Sequence, residues 1–121
     1  CGLARGATLQ QTLADLPVSF CSQLVVEDQQ IYQHTKARHS DILKLAQAAG
    51  GVVGRVQCFE LELVKPRTWK GNVPKNIFMG RILTKLDASE ISIFDRLTCP
   101  KSLKHNVLDA IGIGLYKLKR L

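Results

Sequence analysis

The spacing of apolar residues along the chain predicts strands that alternate with helices. A β-branched run at 22–26 ends abruptly in the acids Glu27 and Asp28, and such a run is typical of a central strand buried on both faces. The strict alternation of apolar and acidic residues at 59–63 is typical of a half-exposed strand. Apolar residues three and four positions apart predict helices at 8–15, 41–50, 78–86, 88–97 and 102–120.

The boundaries of these elements are predicted from residues that favour caps and turns. Ser40 or Asp41 is expected to cap the second helix, and Gly50-Gly51 is expected to end it. Pro66 ends the second strand, and 67–75 is predicted to be a loop. Alternating strands and helices indicate an α/β fold, which we interpret as a single domain over residues 1–121.

The charge balance favours a polyanionic partner. The chain has 17 Lys and Arg against 10 Asp and Glu, a formal net charge of +7. Each phosphate that a basic protein neutralises releases condensed counterions, so nucleic acid is the first partner to consider. A solvated basic surface without a partner is the alternative.

Apolar runs and cysteines narrow the class of protein. Every apolar run is shorter than the roughly 18 residues that suggest a membrane span, so we expect no membrane partner. The cysteines at 1, 21, 58 and 99 lack the spacing of a structural zinc site. They are expected to be buried or free thiols in a reducing compartment such as a cytoplasm.

Two carboxylates occupy positions that a surface acid seldom takes. Glu27 ends the predicted buried strand, and Asp109 lies in the middle of a largely apolar helix. His105 lies one turn before Asp109 and Gly112 about one turn after it, so all three share one helix face. We expect Glu27 and Asp109 to converge on Mg²⁺, which prefers oxygen ligands and activates water for phosphodiester hydrolysis. An exposed Glu27 and a solvent-facing Asp109 are the alternatives.

One basic segment surrounds the tryptophan. Trp69, Lys70 and Lys75 lie on a stretch shaped by Gly71 and Pro74, an arrangement suited to gripping phosphate and stacking on bases. An ordinary exposed turn with a half-buried Trp69 is the alternative. The sequence therefore predicts phosphate contacts here without deciding the role of the indole.

A second basic segment follows the first predicted strand. Tyr32 lies among His34, Lys36 and Arg38. Such an aromatic residue in a basic loop acts as a base-stacking wedge or simply packs the loop onto the core. Both interpretations of Tyr32 stay open.

Four segments resemble, in their order along the chain, one family of nucleases. They are LVVEDQQ at 24–30, DILKLAQAAG at 41–50, VKPRTWKGNVPK at 64–75 and HNVLDAIGIGL at 105–115. Together they resemble the RuvC-type Holliday junction resolvases, and phage-borne relatives in particular. In that family the first segment carries the second catalytic acid, the third holds two functional lysines, and the last bears the final metal-binding acid.

The resemblance implies an RNase H-like fold, in which a mixed central sheet is flanked by helices. It also implies a homodimer that makes paired nicks in four-way DNA junctions, in DNA recombination and repair, with two Mg²⁺ or Mn²⁺ ions per active site and no organic cofactor. Glu27 and Asp109 would hold metal, and His105 would be a ligand, a general acid or a phosphate contact. The expected DNA contacts are Lys70, Lys75, Tyr32, Lys36, Arg38 and Arg67.

The chain departs from the family at two places. The family's first catalytic acid lies on a strand just before a segment that resembles CGLA at 1–4. We therefore expect residues to precede Cys1, and the chain from Cys1 alone to lack a principal metal ligand and to be inactive. Where many relatives carry an acid or His, this chain has Asn106, next to His105.

The leading hypothesis is a junction-selective endodeoxyribonuclease that leaves 5′-phosphate and 3′-hydroxyl ends. The alternatives are a noncatalytic protein that binds junctions or branched DNA, and a nuclease of the same superfamily with another substrate. Two symmetric cuts require two active sites, so a C2 homodimer is expected. Its candidate interface is the helix at 41–50, where Ala46, Ala48 and Ala49 either permit close helix approach or pack against the sheet.

Overall fold

The computed structural model of this chain describes residues 6–31 and 38–121. It has an α/β architecture with a small parallel sheet, so the predicted fold class is confirmed at that level. No helix within the described ranges is long and apolar enough to span a bilayer. The elements are α1 (Leu9–Ala14), β1 (Phe20–Glu27), α2 (His39–Arg55), β2 (Gln57–Val64), α3 (Pro66–Lys70), α4 (Lys75–Thr84), α5 (Ala88–Arg96) and α6 (Lys104–Lys117), with a 3-10 turn at Lys101–Leu103.

The chain forms two compact units. The first, here called the sheet unit, ends at Thr68 and contains α1, β1, α2 and β2. The second, here called the helical unit, is Trp69–Leu121 and contains α4, α5 and α6. The interpretation of the whole chain as a single domain stays a prediction.

The sheet unit is built around the parallel pair of β1 and β2. Its register places Phe20 opposite Gln57 and Glu27 opposite Val64. The Asp28 amide extends the ladder by donating to the Val64 carbonyl over 2.9 Å. Because the strands are parallel, their carboxyl ends lie at the same edge, and α2 supplies the crossover that such a pair requires.

The surface of this sheet differs from the prediction. Within the described residues β1 pairs with β2 alone, and Leu24 and Val26 are only half-buried, so burial of β1 on both faces is wrong there. On β2 the alternation is correct, but the apolar face is the exposed one, with Phe59 85% and Leu63 56% accessible. The apolar pattern correctly predicted the positions of both strands, but it did not predict which faces of the strands are buried.

Helix α2 runs past its predicted end. It continues through Gly50-Gly51 to Arg55, and Arg38 rather than Ser40 or Asp41 is its N-cap residue. A glycine inside a helix costs only about 1 kcal/mol, so tertiary packing overrides it easily. At Gly51, a Cβ atom would lie 2.6 Å from Leu13 Cδ1, which means that the bare backbone lets α1 approach α2.

Local capping explains the starts of α1 and α5, whose capping residues were not predicted from the sequence. The Thr8 hydroxyl accepts from the Gln11 amide over 3.2 Å, and the Gln11 side chain accepts in return from the Thr8 amide. Asp87 and Glu90 form the same reciprocal pair at the start of α5. Both satisfy amides that the first turn leaves without helical partners.

The predicted loop at 67–75 is helical in its first part. Helix α3 starts at Pro66, whose missing amide hydrogen is not needed in a first turn. Gly71 then takes a positive φ of 61° and turns the chain towards α4. The prediction of an entirely irregular segment is therefore wrong over Pro66–Lys70.

The helical unit has a well-packed core. Ile82 of α4 is fully buried, and Val107 and Leu115 of α6 are each 4% exposed. The predicted helix at 102–120 is divided into the 3-10 turn and α6, and Leu118, just beyond the end of α6, is 67% exposed. Helix α6 thus packs against α4 through residues nearer its middle.

Three cysteines in the described residues are free thiols, as predicted. They are Cys21, Cys58 and Cys99, and each is half-buried. Cys21 and Cys58 are opposite each other in the β1–β2 register.

Candidate functional site

Lys70 and Asp109 lie side by side in the helical unit. The distance from Lys70 Nζ to Asp109 Oδ1 is 3.7 Å, and both side chains are about one-third exposed, at 30% and 33%. Lys70 is the last residue of α3, and Asp109 lies in the middle of α6. The structure therefore brings together two predicted site residues that are far apart in sequence.

The packing of Trp69 holds Lys70 in this position. Trp69 is 5% exposed, and its ring makes an edge contact with Phe78, with 5.4 Å between centroids. At Gly112 of α6 a Cβ atom would lie only 2.7 Å from Trp69 Cζ3. Lys70 Nζ lies 4.6 Å from the Trp69 ring centroid, within the range of a cation–π contact.

This arrangement distinguishes between the two roles considered for Trp69. An indole so deeply buried packs α3 against α4 and α6 and does not present a face on which a base can stack. Gly112, one turn beyond Asp109, is where the indole approaches the α6 backbone. Trp69 therefore packs within the fold, more deeply than the half-buried indole of the alternative, while the adjacent Lys70 keeps a partly exposed ammonium group.

The other predicted residues of this segment are at the surface. Lys75 is the first residue of α4 and is exposed, and Arg67 is exposed in α3. His105 is half-buried in the first turn of α6, one turn before Asp109, while Asn106 is exposed. Their predicted roles towards DNA or metal stay predictions.

Glu27 lies where the sequence predicted, at the carboxyl end of β1. Its Oε1 accepts from Gln29 Nε2 over 3.3 Å, and Asp28 Oδ2 accepts from Gln30 Nε2 over 2.7 Å. All four of these residues are half-buried. The end of β1 thus presents two carboxylates together with two side-chain amides.

A pocket of about 240 Å³ opens beside these acids within the sheet unit. The apolar walls include Ala46 and Ala49, of which Ala46 is exposed, so the packing role and the dimer role of these alanines both stay open. Its lining residues are Glu27, Asp28, Gln29, Ala46, Ala49, Gly50, Val53, Leu61 and Leu63.

The residues at the end of β1 have the chemistry that a hard divalent cation requires. Carboxylate and amide oxygens are the ligands that Mg²⁺ and Mn²⁺ prefer. Asp28 was not among the predicted site residues, although its position beside Glu27 at a strand end was a visible signal. Among the described residues no group of three or more His, Cys, Asp or Glu is arranged to hold a metal. The convergence of Glu27 with Asp109 stays a prediction.

Some predicted DNA contacts fall outside the described residues. Tyr32 and Lys36 both lie there. Arg38 is described, and it is exposed at the start of α2. Of the second basic segment, only Arg38 is thus placed at the surface.

A concave basic surface in the helical unit was missed by the sequence analysis. A cleft of about 450 Å³ is lined by Trp69, Lys70, Phe78, Arg81, Lys85 and Leu121. Arg81 and Lys85 are exposed and lie one turn apart, at the end of α4. The signal was present in their spacing of four on a predicted helix, which places two cations on one face.

A separate ion pair fastens the end of the chain to α5. Arg120 binds Glu90 in bidentate fashion, with Nη1 to Oε1 at 2.7 Å and Nη2 to Oε2 at 2.8 Å. Hydrogen bonding from Arg120 lowers the pKa of Glu90, and the same pairing raises the pKa of Arg120. The Ser89 hydroxyl and the Glu90 amide lower the pKa of Asp87. These groups stabilise the fold and lie outside the predicted site.

Comparisons with protein-family models, curated proteins and solved structures find no match to this chain.

Proposed function

We propose that this protein is a metal-dependent endodeoxyribonuclease that cleaves four-way DNA junctions, with the RNase H-like fold and homodimeric assembly of the RuvC type. The observation that carries the proposal is the 3.7 Å contact between Lys70 and Asp109. One of these residues was assigned to phosphate and the other to metal on separate grounds. A phosphodiester bound there contacts the ammonium group of Lys70 and lies beside the proposed metal-binding carboxylate of Asp109.

Lys70 has the properties of a phosphate-positioning group. Its ammonium lies over the Trp69 ring, which limits the positions that a long side chain can otherwise take. Lys75 provides a second, more exposed cation five residues further on, across the Gly71 turn. Together they orient the DNA backbone at the carboxylate of Asp109.

The metal-binding groups in this proposal are Glu27 and Asp109. These residues would hold Mg²⁺ or Mn²⁺, which would supply an activated water and neutralise charge on the scissile phosphate. Asp28, next to Glu27 at the end of β1, adds a further oxygen ligand or orients the first. His105, one turn from Asp109, is a ligand, a general acid or a phosphate contact in this arrangement.

The distribution of charge supports a nucleic-acid substrate. The helical unit contains ten Lys and Arg against four Asp and Glu, so it holds most of the net charge of the chain. A surface of this sign concentrates DNA near the unit that carries Lys70 and Asp109.

One observation also fits the alternative of a noncatalytic junction-binding protein. Lys70 already pairs with Asp109 within the fold, and a partly exposed pair of this kind does not require a metal. The two functions differ in what Asp109 does. A nuclease needs its charge for cleavage, whereas a binding protein needs only the adjacent lysine.

The decisive experiment is a cleavage assay on a four-way junction and a matched linear duplex with Mg²⁺. Asp109→Asn and Glu27→Gln are each expected to reduce junction cleavage at least about 100-fold while junction binding persists. Asp95→Asn, on the exposed surface of α5, is the matched control and is expected to cleave normally.

Separate outcomes would contradict the metal-binding role of Asp109, the nuclease activity and the selectivity for junctions. Cleavage that survives Asp109→Asn excludes Asp109 as a metal ligand. Normal junction binding without any Mg²⁺- or Mn²⁺-dependent cleavage favours the noncatalytic alternative. Equal cleavage of junction and linear duplex, by a protein that sediments as a monomer, contradicts the resolvase assignment even if the nuclease chemistry is correct.

A further inference from the structure

Three cations of the helical unit converge on one concave surface. Lys70, Arg81 and Lys85 all line the cleft of about 450 Å³, and Trp69 and Phe78 contribute its aromatic part. The edge contact between the two rings joins α3 to α4, so it fixes the segment that carries Lys70 against the helix that carries Arg81. Packing therefore fixes the positions of the helices that carry the three cationic side chains.

Within residues 6–31 and 38–121, Arg81 and Lys85 form no ion pair with an acid. Elsewhere in the helical unit, Lys70 pairs with Asp109 and Arg120 pairs with Glu90. The Lys85 carbonyl accepts from Arg120, which ties the end of α4 in place without neutralising the Lys85 side chain. Like charges held in a concave surface repel one another until an anion enters.

The chemistry of the cleft fits a phosphate group. Arg presents a planar fork of donors that matches phosphate oxygens, and Lys adds compact positive charges beside it. The aromatic side chains at the cleft are a poor stacking platform, since Trp69 and Phe78 are each 5% exposed. The site therefore suits a backbone phosphate better than a base.

We propose that Lys70, Arg81 and Lys85 form a binding site for one backbone phosphodiester of a nucleic acid. Lys70 links this site to Asp109, so a strand bound in the cleft passes beside the carboxylate. Arg81 and Lys85 contact this phosphodiester from the end of α4, and Lys70 contacts it from α3. The inference goes beyond the proposed nuclease function, because it holds equally for a protein that binds DNA without cutting it.

The test measures binding of a short labelled duplex in EDTA, where no metal-dependent cleavage occurs. Arg81→Ala/Lys85→Ala is compared with Arg96→Ala/Lys101→Ala, which also removes one Arg and one Lys from exposed positions of the helical unit, outside the cleft. The cleft variant is expected to bind about 10-fold more weakly than the control variant. The slope of log affinity against log salt is expected to become shallower by about one unit, the value for one lost phosphate contact.

A second measurement uses the tryptophan. Trp69 is the single Trp of the chain and lines the cleft, so its emission reports on this surface directly. Duplex binding is expected to change Trp69 emission in the control variant and to lose most of that change in the cleft variant. Thermal unfolding of both variants verifies that the fold is retained, as expected for exposed positions.

Equal weakening in the two double variants overturns the inference, because it shows that only overall charge matters. Unchanged affinity in the cleft variant overturns it as well, and leaves the nuclease proposal intact if Mg²⁺-dependent cleavage persists. Inorganic phosphate at constant ionic strength is the third arm. A Trp69 response to phosphate in a protein that does not bind the duplex overturns nucleic acid as the source of the phosphate.

Discussion

Among the residues that the structure describes, the helical unit buries more of its large apolar side chains than the sheet unit does, although Leu118 and Ile77 of the helical unit are also exposed. In the helical unit Ile82 is 0% and Phe78 5% exposed, while in the sheet unit Phe59 is 85% and Leu45 55% exposed. Close packing gives side chains fixed positions, so groups attached to the helical unit are held more rigidly. That rigidity is what a phosphate-positioning surface requires.

The two units also differ in charge. Residues 69–121 contain ten Lys and Arg against four Asp and Glu, and residues 1–68 contain seven against six. The basic excess thus belongs to the unit with the better core, while the acids Glu27 and Asp28 stand at a strand end in the other. The proposed phosphate contacts therefore belong to the helical unit, whereas one of the two predicted metal ligands, Glu27, belongs to the sheet unit.

The largest effect is expected from shortening a core residue. Ile82→Ala is expected to lower the free energy of unfolding by about 2–5 kcal/mol, because it removes buried methyl groups and leaves a cavity. Leu45→Ala, on the exposed surface of α2, is expected to change it by no more than about 0.5 kcal/mol. Urea unfolding followed by Trp69 emission and by circular dichroism measures both. Equal losses would remove the contrast between the units.

The next largest effect is expected at the α6 backbone. Gly112→Ala places a Cβ atom 2.7 Å from Trp69 and 2.8 Å from Ile82, so we expect a loss of about 1–3 kcal/mol from overpacking. Gly114→Ala in the same helix meets nothing within 4 Å, and the better helix propensity of Ala is expected to stabilise by up to about 1 kcal/mol. We expect Tm to fall in Gly112→Ala and to rise in Gly114→Ala, which would support the tight packing of the helical unit at Gly112. A higher Tm in Gly112→Ala would contradict it.

The smallest effect is expected on the pH dependence of Tm, and it depends on the Glu90–Arg120 pair of the helical unit. Arg120 lowers the Glu90 pKa in the folded state, so Glu90 stabilises the fold at pH values above the ordinary Glu pKa of about 4.3 and this contribution is lost as the pH falls through the lowered value. Glu90→Gln is expected to lower Tm at neutral pH and to approach the Tm of the unmodified protein in acid. Tm is measured from neutral to acidic pH, with Asp95→Asn of the same helix as the control. A Tm difference that does not depend on pH would show that Glu90 acts through packing alone.

Much of the fold was predictable, because periodic apolar spacing is a local signal. It identified α4, α5 and both strands to within a few residues. Helix ends were less predictable, since the packing of Leu13 on Gly51 lets α2 continue through two glycines. The capping box at Thr8 was a readable signal that the apolar pattern alone does not contain.

The candidate site was predictable only one residue at a time. The unusual placement of Glu27 and Asp109 drew attention to them, and Lys70 was identified by its basic segment and by resemblance. The contact between Lys70 and Asp109 depends on the packing of Trp69 against Gly112, which a single sequence does not reveal. Arg81 and Lys85 were missed for the same reason, since a cleft is made by the contact of α3 with α4.

The left-handed backbone conformation of Gly71 shapes the segment that carries Lys70 and Lys75. Its φ of 61° lies in the region that L side chains avoid, yet no neighbouring atom lies within 4 Å of the position a Cβ would take. The restriction therefore comes from backbone chirality and not from lack of space. A D-amino acid prefers this region and would fit without disturbing its neighbours. Any L-residue, small or large, would destabilise the fold by about 1 kcal/mol. The spacing between Lys70 and Lys75 is set by a stereochemical preference that no side chain enforces.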